Sequence, residues 1–170
     1  DGDDYVDGGG GTDQVFGDAG NDELLGGGGA GDNLDGGPGE DLIRGSDDGA
    51  DNISGGDGRD RIYGNGGNDS INAGAGDDIV DGGAGDDAIL GEAGMDLILG
   101  GANHDTLYGH NVSGAGDDNS VDYLYGDFGT NANPAEAGSG RDRLFGNGGN
   151  DFAYGEGDDD AIDGGTGASN

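Results

Sequence analysis

The stretch GGAGDDAIL, residues 82–90, places two adjacent aspartates between a segment of small residues and a short apolar end. Aspartate carboxylates can ligate a hard cation, serve as general bases or cap turns. The sequence contains 33 aspartates but only five glutamates. This bias toward the shorter carboxylate indicates a geometric requirement, because a merely solvated acidic surface would mix the two residue types.

The aspartates follow a period of nine residues. Rows such as GGPGEDLIR and AGAGDDIVD read as two small residues, any residue, glycine, any residue, aspartate, any residue, an aliphatic residue and any residue. The aliphatic position recurs sixteen times, from Val6 to Ile162, and an aspartate lies two residues before each one. A net charge of −33 with 29% hydrophobic residues is by itself typical of a disordered chain. The period instead predicts a repeat architecture.

These rows resemble the haemolysin-type calcium-binding repeats of the RTX family, the nonapeptide GGxGxDxUx in which U is a large aliphatic residue. The resemblance covers nearly the whole chain. It implies an all-β, right-handed parallel β-roll, a β-solenoid in which two nonapeptides form one turn and calcium is held in the glycine-rich turns. Some rows depart from the pattern: Asn103 and Asp158 replace the fourth glycine, Ser120 stands at an aliphatic position, and Ser169 stands at an aspartate position.

The dimensions of one row are consistent with this fold. Three residues around the aliphatic position can form a strand of about 10 Å, with the middle side chain pointing inward. Six residues, three of them small, remain to reverse the chain. We therefore expect about eight two-strand turns in a single roll over residues 1–170, with loop insertions at about 109–121 and 126–141. We also expect the chain to be a fragment of a larger protein.

The resemblance assigns calcium ligation to the sixth residue of each row. The alternative for any of these residues is a solvated or turn-capping aspartate, and it applies most to the five that lie near the ends or follow the insertions. The candidate metal ligands are Asp4, Asp13, Asp22, Asp32, Asp41, Asp51, Asp60, Asp69, Asp78, Asp87, Asp96, Asp105, Asp122, Asp142, Asp151 and Asp160. The fifth-position aspartates, such as Asp77 and Asp86, are expected to point outward.

Stacking of the turns explains why a metal is needed. Two carboxylates about 5 Å apart repel by roughly 3 kcal/mol at an effective dielectric constant near 20. About sixteen inward aliphatic residues cannot offset this repulsion together with the conformational entropy of a glycine-rich chain. Calcium prefers six to eight oxygen ligands from carboxylates and backbone carbonyls, whereas magnesium requires tighter octahedral geometry. We therefore expect Ca²⁺ binding and folding to be one equilibrium, with up to about fourteen sites between successive turns.

Other classes of function are disfavoured. Five arginines and no lysine argue against nucleic acid or an anionic membrane as a partner, and no apolar run is long enough to span a membrane. The chain lacks cysteine, a Walker lysine, the EF-hand spacing and a nucleophile–base–orienter set. His104 and His110 could form a zinc pair, but we expect them to be solvent-facing loop residues. We therefore predict that the chain is not an enzyme.

Assigning rows alternately to two sheets predicts one strongly apolar outer face. That face is a candidate contact for a protein partner or for a second copy, although the β-propensity of aromatic residues is an alternative explanation. Its residues are Leu25, Leu42, Tyr63, Ile79, Leu97, Leu99, Tyr123, Tyr125, Phe152 and Tyr154. The other face is milder, with Phe16, Leu90, Tyr108 and Phe145 among polar residues.

Two functions remain open. The first is a calcium-dependent extracellular folding and spacer module of a secreted bacterial protein, which by family resemblance would leave the cell by type I secretion. The second is a structural or adhesive component of an extracellular layer, fibre or virion that assembles through the apolar face. An ice-binding surface is disfavoured because neither outer face carries a regular rank of threonine. The expected location in both cases is secreted or at the cell surface.

Overall fold

A computed structural model describes residues 1–110, 120–127 and 140–165 of the chain. These residues form sixteen β-strands and no helix, so none is long and apolar enough to cross a membrane. The strands are β1 (Tyr5–Asp7), β2 (Gln14–Phe16), β3 (Glu23–Leu25), β4 (Asn33–Pro38), β5 (Leu42–Arg44), β6 (Asn52–Asp57), β7 (Arg61–Gly66), β8 (Ser70–Ala75), β9 (Ile79–Ala84), β10 (Ala88–Ala93), β11 (Leu97–Ala102), β12 (Thr106–Tyr108), β13 (Tyr123–Tyr125), β14 (Arg143–Phe145), β15 (Phe152–Tyr154) and β16 (Ala161–Asp163).

The strands form two parallel sheets of eight. The odd-numbered strands lie side by side in sequence order in one sheet, and the even-numbered strands do so in the other. Each strand pairs with the strand two rows away, for example Ile89 beside Ile71 and Ile98 beside Val80. Two rows therefore make one turn, and the prediction of an all-β parallel β-roll of about eight turns is confirmed.

The register continues across both predicted insertions. Ile98 pairs with Leu124, and Leu107 pairs with Leu144, although the intervening sequence is longer than two rows. The inner parts of the insertions, residues 111–119 and 128–139, lie outside the described residues, and so does Ser169. The expected single domain over residues 1–170 stays a prediction.

The aliphatic positions fill the interior between the sheets. The thirteen from Val15 to Leu144 are at most 3% exposed and form one continuous core. Val6 and Ala153 are partly buried, and Ile162 is 52% exposed. The expectation that Ile162 fills the interior is wrong: β16 is the last strand of the described roll, and no later described strand covers this side chain.

Seven strands are longer than the three residues that the sequence predicts. Strands β4 and β6 to β11 have six residues because the ladder continues into the first part of the following loop. Gly83, for example, pairs with Gly101 in the next turn. Successive loops have the same backbone shape and can therefore stack, so the paired region extends beyond the aliphatic residues.

Most loops use left-handed backbone at their second and fourth positions. In residues 82–90 these are Gly83, with φ of 103°, and Gly85, with φ of 138°. Asn65 and Glu92 take the second position in their own rows with φ of 71° and 74°, and Asn103 takes the fourth with φ of 83°. A non-glycine residue pays about 1–2 kcal/mol for this conformation. The departure from glycine at Asn103 therefore preserves the local conformation of the loop.

Candidate metal centre

The sixteen predicted aspartates lie in two columns, one along each edge of the roll. Each aspartate immediately precedes its strand, so rows that lead into the same sheet place their aspartates one above another. The first column leads into the odd-numbered strands and contains Asp4, Asp22, Asp41, Asp60, Asp78, Asp96, Asp122 and Asp151. The second leads into the even-numbered strands and contains Asp13, Asp32, Asp51, Asp69, Asp87, Asp105, Asp142 and Asp160.

A hydrogen bond joins each aspartate to the next one in its column. The backbone N–H of one residue donates to Oδ1 of the aspartate one turn further on, with N–O distances of 2.6 to 3.1 Å. The chain continues through Asp122 and Asp142, whose donors Asp96 and Asp105 lie 26 and 37 residues earlier. The aspartates that follow the insertions therefore occupy the same structural position as the central ones.

The second carboxylate oxygen has a different environment. All but three of the sixteen aspartates are buried; the exceptions are Asp4, Asp13 and Asp160 near the ends. Within the described part of the chain, no hydrogen-bond donor reaches the buried Oδ2 of ten of them: Asp13, Asp22, Asp32, Asp41, Asp60, Asp69, Asp78, Asp87, Asp105 and Asp142. A buried acceptor without a partner costs about 1–3 kcal/mol, and more when it is charged. These oxygens therefore call for a cation or a proton.

Glycine at the first loop position leaves space beside this oxygen. An ideal Cβ built on Gly82 would lie 2.5 Å from Asp87 Oδ2 and 2.6 Å from the carbonyl oxygen of Gly100, one turn away. The same pair of groups, an aspartate oxygen of the same loop and a carbonyl of the next turn, borders Gly36, Gly55 and Gly64. Carboxylate and carbonyl oxygens that share a small space are a donor set suited to a hard cation.

Burial raises the pKa of these carboxyl groups. It raises the pKa of Asp87 to about 6, with smaller increases from the charges of Asp86 and Asp81 and an opposing decrease from the N–H of Asp69. For Asp105 burial is again the largest cause, and its pKa rises to about 8. The pKa is also raised to about 7 for Asp60 and Asp69 and to about 6 for Asp78 and Asp142. Desolvation therefore outweighs the repulsion between stacked carboxylates that the sequence argument emphasised.

Side chains alone do not complete a metal site here. In residues 1–110, 120–127 and 140–165, no three acidic or imidazole side chains converge on one point. A cation in either column would therefore need backbone carbonyls, as predicted from the sequence. Asp86 is exposed, as predicted, and its Oδ1 accepts a hydrogen bond of 3.1 Å from the His104 N–H. The two adjacent aspartates of GGAGDDAIL thus differ in burial and in partner.

The two histidines do not behave alike. His104 is exposed, but His110 is only 4% exposed, so the expectation of two solvent-facing histidines is wrong for His110. The carbonyl of His110 accepts a hydrogen bond of 2.9 Å from Asn147 Nδ2, which fixes this residue against a row beyond both insertions. No sequence pattern indicated this contact, because it joins residues 37 positions apart.

Two further aspartates with buried carboxylate oxygens fall outside the columns. Asp81 has an Oδ1 with no donor in the described residues, and burial raises the pKa of its carboxyl group. Asp127 is 1% exposed, accepts a 2.7 Å hydrogen bond from the Gly157 N–H, and has a pKa raised chiefly by burial. Neither occupies the sixth position of a row, so the period could not single them out.

Comparison with known families agrees with this geometry. The family model described as the RTX calcium-binding nonapeptide repeat (4 copies) matches residues 1–31, 26–48, 46–80, 81–111 and 136–169. The chain belongs to the RTX calcium-binding repeat family. No curated protein sequence matches it. The orphaned Oδ2 atoms and the space beside the first glycine fit the calcium that the family name implies, and the residues that would hold it are the column aspartates and the carbonyls of the first glycines.

Proposed function

We propose that this RTX chain binds Ca²⁺ along both edges of the roll and folds when it does so. The observation that carries the proposal is the row of buried Oδ2 atoms without hydrogen-bond donors in the described residues, most of them beside a carbonyl of the next turn. A dication placed there would neutralise two carboxylates and remove the cost of burying them. The columns contain fourteen hydrogen-bonded steps, which supports up to about fourteen ions.

Calcium is the favoured ion because of the ligands that the loops offer. Carboxylates and carbonyls on successive turns form a flexible oxygen-rich environment, whereas magnesium requires near-ideal octahedral geometry and releases its water reluctantly. The chain carries no cysteine, and the described residues offer no imidazole cluster. The softer zinc-type ligand sets are therefore not represented among the described residues.

The biological role that we propose is an extracellular folding and spacer module within a larger secreted bacterial protein. Free calcium is scarce inside cells and plentiful outside, so a chain that folds on calcium would stay unfolded during type I secretion and become ordered after export. The support for this role is the family membership together with a net charge of −33, which opposes folding until cations bind. The role is structural, and we propose no catalytic function for the roll.

Calcium titration of the purified chain tests the proposal. We expect the far-ultraviolet circular dichroism spectrum to change from disordered to β-structure at calcium concentrations below a few millimolar, and chelation to reverse the change. Magnesium at the same concentration should be much less effective. A chain that stays disordered at millimolar calcium, or that is equally folded in a chelator, would contradict calcium-dependent folding.

Two neighbouring aspartates provide a matched pair of variants. Asp87→Ala removes a buried column carboxylate, whereas Asp86→Ala removes an exposed one in the same loop. We expect Asp87→Ala to raise the calcium midpoint for folding clearly and Asp86→Ala to change it little. Equal effects would show that the ligand is not the sixth residue of the row.

A second candidate function is assembly of copies of the chain through the outer face of the odd-numbered sheet. The ten apolar residues predicted for this face all lie on odd-numbered strands. Tyr123 stacks on Phe152 and Tyr125 on Tyr154, each pair with ring centroids 5.1 Å apart. Arg44 and Arg61 lie on the same strands, so this face opposes a second copy less than the rest of the acidic surface does.

Sedimentation velocity in saturating calcium distinguishes the two candidates. A monomer at tens of micromolar favours the spacer module, and dimers or larger ordered species favour assembly. In the second case Leu97→Arg, on the half-buried outer position of β11, should restore the monomer without changing the calcium midpoint. Assembly that persists in this variant would exclude the odd-numbered face as the contact.

A further inference from the structure

One column aspartate has partners that the ten orphaned ones lack. Asp51 belongs to the ten-residue row GSDDGADNIS, residues 45–54, in which serine replaces the second glycine. Ser46 is 0% exposed and Asp51 is 1% exposed, so both lie inside the loop. A buried serine in this position requires hydrogen-bond partners.

Ser46 satisfies the carboxylate of Asp51. The Ser46 N–H donates to Asp51 Oδ2 at 2.6 Å, and Ser46 Oγ lies 3.2 Å from Oδ2 and 3.3 Å from Oδ1. The Gly49 N–H donates to Ser46 Oγ at 3.2 Å, which leaves the hydroxyl proton directed to the carboxylate. Oδ1 also accepts the column hydrogen bond from the Asp32 N–H at 2.6 Å.

These contacts use the acceptor capacity of the carboxylate. An ionised aspartate has about four lone-pair sites, two on each oxygen. At Asp51 each oxygen faces one backbone N–H and the shared serine hydroxyl. At the ten orphaned aspartates Oδ2 faces no donor in the described residues. Ser46 therefore satisfies the Asp51 oxygen that a cation would otherwise neutralise.

The extra residue of the row is not by itself the cause. The other ten-residue row, residues 26–35, keeps Gly27 at the second position with φ of 98°. Its aspartate, Asp32, has a buried Oδ2 without a donor in the described residues. The two rows have equal length and lie on the same edge, so row length does not explain the hydrogen bonds of Asp51.

We propose that Ser46 replaces calcium at Asp51, so that this loop is a metal-free turn within the calcium-binding edge. This inference rests on the proposed function. The second column then lacks one of its ions, the one that Asp51 Oδ2 would bind. The number of ions therefore falls below fourteen.

Counting calcium in variants of the full chain tests the assignment. Equilibrium dialysis against calcium, followed by atomic emission, gives ions per chain for the wild type and for Ser46→Gly, which restores the glycine of the other rows. We expect Ser46→Gly to bind one additional ion per chain. The double variant Ser46→Gly with Asp51→Asn should return to the wild-type number, because the new site needs the Asp51 carboxylate.

Ser46→Ala guards against failure of the glycine variant to fold. It also removes the hydroxyl, and we again expect one additional ion. Ser54→Gly, on the outer face of β6, is the matched control and should bind as many ions as the wild type. An unchanged number in both Ser46 variants would overturn the assignment while the calcium proposal stands. A wild-type chain that binds no calcium would overturn the proposed function itself.

Discussion

Replacing one buried column aspartate by asparagine should have opposite effects with and without calcium. Asp87 is 2% exposed, and its Oδ1 accepts the hydrogen bond of the Asp69 N–H at 2.8 Å. Asparagine keeps an oxygen for this bond and has nearly the same volume, but it carries no charge. The substitution therefore separates the charge of the carboxylate from its packing and its place in the column.

The pKa of Asp87 sets the size of the effect in the metal-free chain. Burial raises this pKa to about 6, compared with about 3.9 for an unfolded aspartate. A difference of about two units corresponds to about 3 kcal/mol of destabilisation when the group is ionised, above pH 6. Asp87→Asn removes this penalty and should stabilise the metal-free fold by up to about 3 kcal/mol. With calcium the same change removes a proposed ligand and should destabilise the fold.

Two titrations of the same variant measure the two effects. At pH 8 in a chelator, folding is induced with trimethylamine N-oxide, which favours compact states, and followed by circular dichroism. Calcium then replaces the osmolyte in the second titration. We expect Asp87→Asn to lower the osmolyte midpoint and to raise the calcium midpoint.

Asp86→Asn is the control because it removes one charge from an exposed position in the same loop. It should change both midpoints little. Asp87→Asn could instead shift the osmolyte midpoint and the calcium midpoint in the same direction. In that case the Asp87 carboxylate could not both destabilise the metal-free fold and bind calcium.

Three further outcomes follow from the fold. Ile89→Ala, at a fully buried position, should lower the unfolding free energy in saturating calcium by about 2–5 kcal/mol, as measured by urea denaturation. Leu90→Ala, at a half-buried outer position, is the milder control. Equal losses for the two variants would contradict the assigned inward face. The metal-free chain should gain β-structure on acidification from pH 8 to pH 5, because the pKa of buried carboxyl groups such as Asp105 is raised to about 8 in the folded state, compared with about 3.9 in the unfolded state. The stabilisation that protonation gives is complete below pH 4 and is lost as the pH rises toward 8. Circular dichroism that shows unfolding on acidification would contradict this prediction. Gly83→Asn should lower the thermal midpoint less than Gly83→Val, since Asn65 occupies the same row position with φ of 71° and β-branched residues disfavour positive φ. Equal thermal midpoints for the two variants would contradict the need for left-handed backbone at this position.

The period of the sequence was sufficient to predict much of this molecule. A nine-residue row cannot bury its aliphatic side chain alone, so its repetition requires stacking, and stacking two rows per turn fixes which aspartates share an edge. This reasoning placed even Asp122 and Asp142 correctly in the columns, although long spacers precede them. It failed at the last row of the described roll, as at the exposed Ile162, and where a contact crosses the insertions, as at the buried His110.

The sequence by itself determined the row, the inward side chain and the identity of the carboxylates, because these depend on local spacing and on the alternation of side chains along a strand. Only the tertiary structure decided how each carboxylate is used. At Asp87, one oxygen accepts a hydrogen bond from an N–H of the preceding turn, and the other is buried beside a carbonyl of the following turn. Asp86, unlike Asp87, accepts its hydrogen bond from the His104 N–H of the following turn. The contact between Ser46 and Asp51 forms within a single loop. Hydrogen bonds and desolvation depend on atoms that become neighbours only when the turns stack, and the period alone does not specify those atoms.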